Sequence, residues 1–76
     1  MYKIKVVLDT TTDVNEFVKI ANTFDVDVPI YLEDGNGFRA NAKSLMGVLY
    51  GKFEFKDLYV LSDSETLTSK FLKFMV

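Results

Sequence analysis

Val26-Asp27-Val28-Pro29-Ile30-Tyr31-Leu32-Glu33-Asp34-Gly35-Asn36-Gly37-Phe38-Arg39-Ala40-Asn41-Ala42 is the stretch that decides the fold. Val26, Val28, Ile30 and Leu32 recur at every second position, the period of a half-buried strand. Pro29 carries no amide hydrogen, so it points to an edge position for that strand. Glu33-Asp34-Gly35-Asn36-Gly37 is the strongest turn signal in the chain, because Asp-Gly and Asn-Gly tolerate the positive φ that hairpins need. A short third strand then carries Phe38, Ala40 and Ala42, and the two strands pair antiparallel across the turn.

Working outward, Tyr2, Ile4, Val6 and Leu8 alternate with Lys3, Lys5 and Val7 as a first strand. Asp13-x-x-Glu16, or Thr12 as the cap, starts a helix in which Val14, Phe17, Val18 and Ala21 share one face, with Phe24 at its end. On the other side, Ser44 to Tyr50 is an apolar helix of about two turns, with Ser44 as N-cap and Gly51 as the C-terminal stop. Lys56 to Leu61 is a fourth strand. Ser62-x-x-Glu65 opens a last helix carrying Leu67, Phe71, Phe74 and Met75. The order βαββαβα makes one α+β domain over residues 1–76, with helices on one face of an antiparallel sheet. Pattern alone leaves open a ferredoxin-like split βαβ fold, used as an effector-binding or subunit-interface module, although its second helix is usually longer.

The composition narrows the function classes. With 49% hydrophobic residues and no cysteine, stability rests on packing around Phe17, Phe24 and Phe71, not on disulfides or thiolate metal sites. Nine basic against eleven acidic residues give a net charge of −2, with no electrostatic footprint for nucleic acid or an anionic membrane. The N-terminus has no signal-peptide core, which favours a cytoplasmic protein. There is no histidine, no nucleophile–base pair and no calcium-loop spacing among Asp25, Asp27, Glu33 and Asp34. The expectation is a non-enzyme without cofactor or metal.

Asn41-Ala42-Lys43-Ser44-Leu45-Met46-Gly47-Val48-Leu49 resembles the regulatory-serine region of HPr, the phosphocarrier of the bacterial sugar phosphotransferase system. In that family a Lys-Ser-(Ile/Leu)-Met-Gly run opens the short second helix, and Lys43-Ser44-Leu45-Met46-Gly47 reproduces it at the matching place in the order of elements. The resemblance implies an HPr-like open-faced β-sandwich, with a four-stranded antiparallel sheet, three helices on one face, and the fourth strand between the first and second. It also implies a departure. The family's carrier histidine, in a Gly-x-His-Ala-Arg-Pro context, falls at Thr10, and its arginine at Thr12, within Asp9-Thr10-Thr11-Thr12-Asp13. Threonine forms no labile phosphoramidate. The chain therefore resembles the family's variants, such as Crh, that lack the histidine and keep the serine.

The resemblance further implies a regulatory domain of bacterial sugar or carbon metabolism, phosphorylated at Ser44, with a serine kinase or transcription regulator as partner. Protein partners are the class expected, a homodimer among them. The partner-binding candidates are Lys43, Ser44, Met46, Gly47 and Tyr50, with Gly47 keeping the helix slender for close approach. Each has a plainer reading: Ser44 as a simple cap, Met46 as core, Thr10 to Thr12 as a polar loop with a cap. Tyr31, Tyr50, Phe53 and Phe55 read equally as an exposed aromatic surface or as core and rim packing. Leu45, Met46, Val48 and Leu49 cannot all face one core on so short a helix.

Overall fold

A computed structural model describes all 76 residues. The elements are β1 (Tyr2–Val6), α1 (Thr11–Ala21), β2 (Tyr31–Glu33), β3 (Arg39–Asn41), α2 (Leu45–Glu54), β4 (Leu58–Ser62), α3 (Leu67–Lys70) and a 3-10 turn (Leu72–Phe74). All strands pair antiparallel, in the order β1-β4-β2-β3. This is the α+β open-faced sandwich expected. A ferredoxin-like sheet would place β1 centrally beside β3, whereas here β1 is an edge strand whose only ladder partner is β4.

The register explains the two faces. Ile4, Val60, Leu32 and Ala40 form one row across the sheet, and its side chains point into the single core that α1, α2 and α3 complete with Phe17, Val48 and Leu67. Side chains alternate along a strand, so Lys5, Tyr59, Glu33 and Arg39 form the next row on the uncovered face. Phe17 is the hub of the covered side. Its ring centroid lies 4.6 Å from that of Phe71 and 5.6 Å from that of Phe74, and Phe24 stacks on Phe71 at 6.0 Å. The chain end also shields the β1 edge, since Val7 N–H donates to Phe74 O and Val76 N–H to Lys5 O.

Several local expectations are corrected. The hairpin turn forms over 34–38, with Gly35 and Gly37 at φ of 88° and 97°, but the second strand is shorter than its alternation suggested. Residues 25–28 turn instead, closed by Val28 N–H on Asp25 O, and Val26 projects into solvent. Pro29 precedes β2, which is an inner strand, so its missing donor marks the entry to the sheet and not an edge. The cap of α1 is Thr10, neither Thr12 nor Asp13, and the reciprocal box runs from Thr10 to Asp13. Glu16 pairs with Lys73. No box forms between Ser62 and Glu65. Ser62 Oγ instead accepts Ser64 N–H, and α3 starts at Leu67.

The glycines of α2 are the largest correction. The helix does not stop at Gly51 but continues to Glu54, with Gly51 buried. A Cβ on Gly51 would lie 2.5 Å from Leu32 Cδ2, and one on Gly47 2.6 Å from the Asn41 carbonyl oxygen. Gly47 thus permits close approach to β3 of the same chain, not to a partner. The inward stripe of α2 is Gly47, Val48 and Gly51, and the helix rests almost on the sheet backbone.

Gly47→Ala tests this seating. In a free helix alanine gains ~1 kcal/mol over glycine, but here the methyl meets a fixed carbonyl, and overpacking costs about 1–3 kcal/mol. The expected outcome is a net loss of stability in urea unfolding. A stabilised variant would show that α2 sits farther from β3.

Candidate functional site

Ser44 is the N-cap of α2, as its sequence context suggests. Its Oγ accepts Gly47 N–H at 3.2 Å, and its own amide donates to Asn41 O at 3.1 Å. The first turn carries no acidic residue, so the positive end of the helix dipole has no resident counter-charge there. Lys43 sits beside it, tied inward: its Nζ donates to Asp25 O at 2.8 Å, and its carbonyl accepts from Asn22, the C-cap of α1. Lys43 therefore fastens the start of α2 to the end of α1.

Beyond this cap the helix reverses the usual arrangement, with small residues inside and large apolar ones outside. Met46 is 78% exposed, Tyr50 58% and Phe53 73%, at the i, i+4, i+7 spacing of a single stripe, and Leu45 flanks it. The Tyr50 and Phe55 rings meet edge to face at 5.8 Å. From residue 45 to 51 no charged side chain interrupts the surface. Ser44, Met46 and Tyr50 are thus brought onto one helix, cap and outer stripe together, while Gly47 faces in. Phe53 belongs to this stripe. Placing the helix end at Gly51 hides its register, although the spacing from Met46 carries the signal.

Thr10 is the N-cap of α1, and a carboxylate already lies against that helix end. Thr10 Oγ1 accepts Asp13 N–H at 3.1 Å, while Asp13 Oδ2 accepts the amides of Asp9 and Thr10 at 3.0 and 3.2 Å. A carboxylate stands where an incoming anion would bind. Farther along, Lys52 Nζ donates to Leu8 O at 2.9 Å, at a shallow cleft of about 210 Å³ shared by Lys5, Phe55 and Lys56. This cleft lies toward the C-terminal end of α2, away from Ser44.

The uncovered sheet face holds a charge cluster that sequence reading missed. Glu33 accepts Lys3 Nζ and Arg39 Nε, both at 3.0 Å, and is itself only 6% exposed. Lys3 lies over the Tyr59 ring and Arg39 over Tyr31. Among the four sequence-flagged aromatics, Tyr31 is therefore a structural rim residue, not part of the α2 surface. Hydrogen bonds from Lys3 and then Arg39 hold the Glu33 carboxyl below its ordinary value of 4.5, with burial opposing them.

Comparisons of the chain with protein-family models, with curated proteins and with solved structures return no match. No group of three or more histidine, cysteine or acidic side chains is placed to hold a metal ion, and no helix is long and apolar enough to cross a membrane.

The Glu33 cluster gives a pH test. A lowered carboxyl pKa contributes stability that is fully present above 4.5 and is lost as pH falls through the lower folded value. Glu33→Gln is expected to unfold more readily than wild type at pH 7, with the difference shrinking below pH 4.5. Thermal unfolding across this range checks it. An unchanged difference at low pH would show that charge is not what Glu33 contributes.

Proposed function

We propose that this chain is an HPr-like regulatory and interaction domain without phosphocarrier activity, working through α2 and switched by phosphorylation of Ser44. The observation that carries the reading is the outer stripe of uncharged side chains Met46–Tyr50–Phe53, which starts within the first turn after a serine cap. A phosphate on Ser44 would meet first-turn amides and no acidic neighbour in that turn. It would add about −1.5 to −2 charge at the rim of an apolar surface, enough to change which partner docks. The resemblance of Lys43-Ser44-Leu45-Met46-Gly47 supplies the setting, bacterial sugar or carbon regulation in the cytoplasm, with a serine kinase or transcription regulator as partner class.

Loss of the carrier role rests on two features of α1. The chain has no histidine, and Asp13 already fills the amide-lined position at Thr10. A second anion there would meet like charge and no free donor from Asp9 or Thr10. Thr10 supplies only a hydroxyl already accepting from Asp13 N–H.

Incubation with phosphoenolpyruvate and the general kinase of the phosphotransferase system is expected to leave the protein unlabelled. Acid-labile label would overturn the carrier-deficient reading. For the surface, Met46→Asp is expected to keep the wild-type melting temperature, because Met46 is 78% exposed, and to abolish saturable binding of a partner purified from a bacterial lysate. Ser44→Asp should alter that affinity while remaining folded, since aspartate also caps helices. Normal binding by both folded variants would remove α2 as the working surface.

A further inference from the structure

We infer that the outer stripe of α2 docks on a second copy of this chain, forming a weak two-fold dimer through antiparallel α2 helices; this rests on α2 being the docking surface. The first ground is self-complementarity. A two-fold interface presents the same patch twice, so it asks only that the patch fit itself. Met46, Tyr50 and Phe53 lie on one line of the helix, with Tyr50 between the other two. Antiparallel pairing sets Met46 of one copy toward Phe53 of the other and brings the two Tyr50 rings together near the axis. The patch is uncharged from residue 45 to 51, and at its far end the Lys52 ammonium lies 5.7 Å from the Phe53 ring centroid, with the Glu54 carboxylate next in the chain.

Electrostatics at the helix ends favour the same orientation. Antiparallel packing puts the positive N-terminal end of each α2, free of acidic side chains, beside the negative C-terminal end of the other. Glu54, the one acidic residue of the helix, is exposed and forms no ion pair within its own chain. Lys52, the one basic residue, has its ammonium on Leu8 O. Each pair of ends therefore joins a free carboxylate to an uncompensated dipole. A parallel pair would stack like ends together.

Area sets the strength. Leu45, Met46, Tyr50 and Phe53, at their exposures of 45%, 78%, 58% and 73%, present roughly 400–500 Å² per copy, taking ~150–250 Å² for each aromatic side chain. Two copies bury at most ~800–1,000 Å², below the ~1,200 Å² of stable specific interfaces and within the range of weak, transient ones. A dimer of this size dissociates in the micromolar-to-millimolar range and exchanges readily with a tighter partner.

Sedimentation equilibrium of the full chain from micromolar to millimolar concentration tests it. The expected result is reversible dimerisation, weakened at least ~10-fold by Met46→Asp and by Phe53→Ala as central apolar anchors. Val26→Asp places the same charge on a 91% exposed valine outside α2, and is expected to leave association unchanged. Phe53→Ala adds no charge and removes only outward surface, so it decides the matter even if Met46→Asp fails to fold. A dimer that survives both α2 substitutions overturns the inference. A chain that stays monomeric throughout also overturns it, while leaving the heterologous docking role to stand or fall on the Met46→Asp partner assay.

Discussion

The close seating of α2 on the sheet is the constraint on which the rest depends. Gly47 and Gly51, four residues apart, let the helix rest where side chains would strike the Asn41 carbonyl and Leu32. Val48 alone among the larger residues of its central turn is fully buried there. An ordinary amphipathic helix buries its large apolar residues and shows polar ones. This one spends its inner face on glycine, so Met46, Tyr50 and Phe53 have nowhere to go but out. The exposed stripe follows from the packing of the same element.

The two longer helices begin in opposite electrostatic states. At α1, Asp13 accepts two amides and closes a reciprocal box with Thr10, so the helix end is neutralised from within. At α2, Ser44 satisfies one amide with a neutral oxygen and leaves the end without a negative charge. Anion chemistry is therefore disfavoured at the first site and open at the second. The proposal of a non-carrier domain with a switchable α2 rests on this contrast as much as on the resemblance of Lys43-Ser44-Leu45-Met46-Gly47. On the opposite side of the sheet, Lys3, Glu33 and Arg39 bridge three strands, stabilising the platform on which α2 sits.

Much of the architecture was legible because local signals agreed with one another. The turn at Asp34–Gly37, the alternation of Tyr2 to Leu8 and the helical spacing of Val14, Phe17 and Ala21 each specify an element without help from distant residues. Ser44 as a cap was legible for the same reason. What could not be read depends on contacts far apart in sequence. Val26 and Val28 alternate like a strand, but Asp25 O takes Val28 N–H and Lys43 Nζ instead. Glu33 looked like part of a turn until Lys3, reaching over β4 from the β1 edge, and Arg39 of the adjacent β3 closed on it. Gly51 has the sequence signature of a helix stop, and only the proximity of Leu32 shows it to be a packing residue.

The most direct test of which way α2 faces is solvent paramagnetic relaxation of the methyl groups of Met46 and Val48, measured by NMR in dilute protein with a soluble gadolinium chelate. Both residues lie on the same helix two positions apart, so any difference reports orientation alone. Strong broadening of the Met46 methyl and none of the Val48 methyls is expected, because Met46 is exposed and Val48 buried. A protected Met46 beside an accessible Val48 would contradict it, placing the stripe in the core and leaving the domain without the surface proposed for its work.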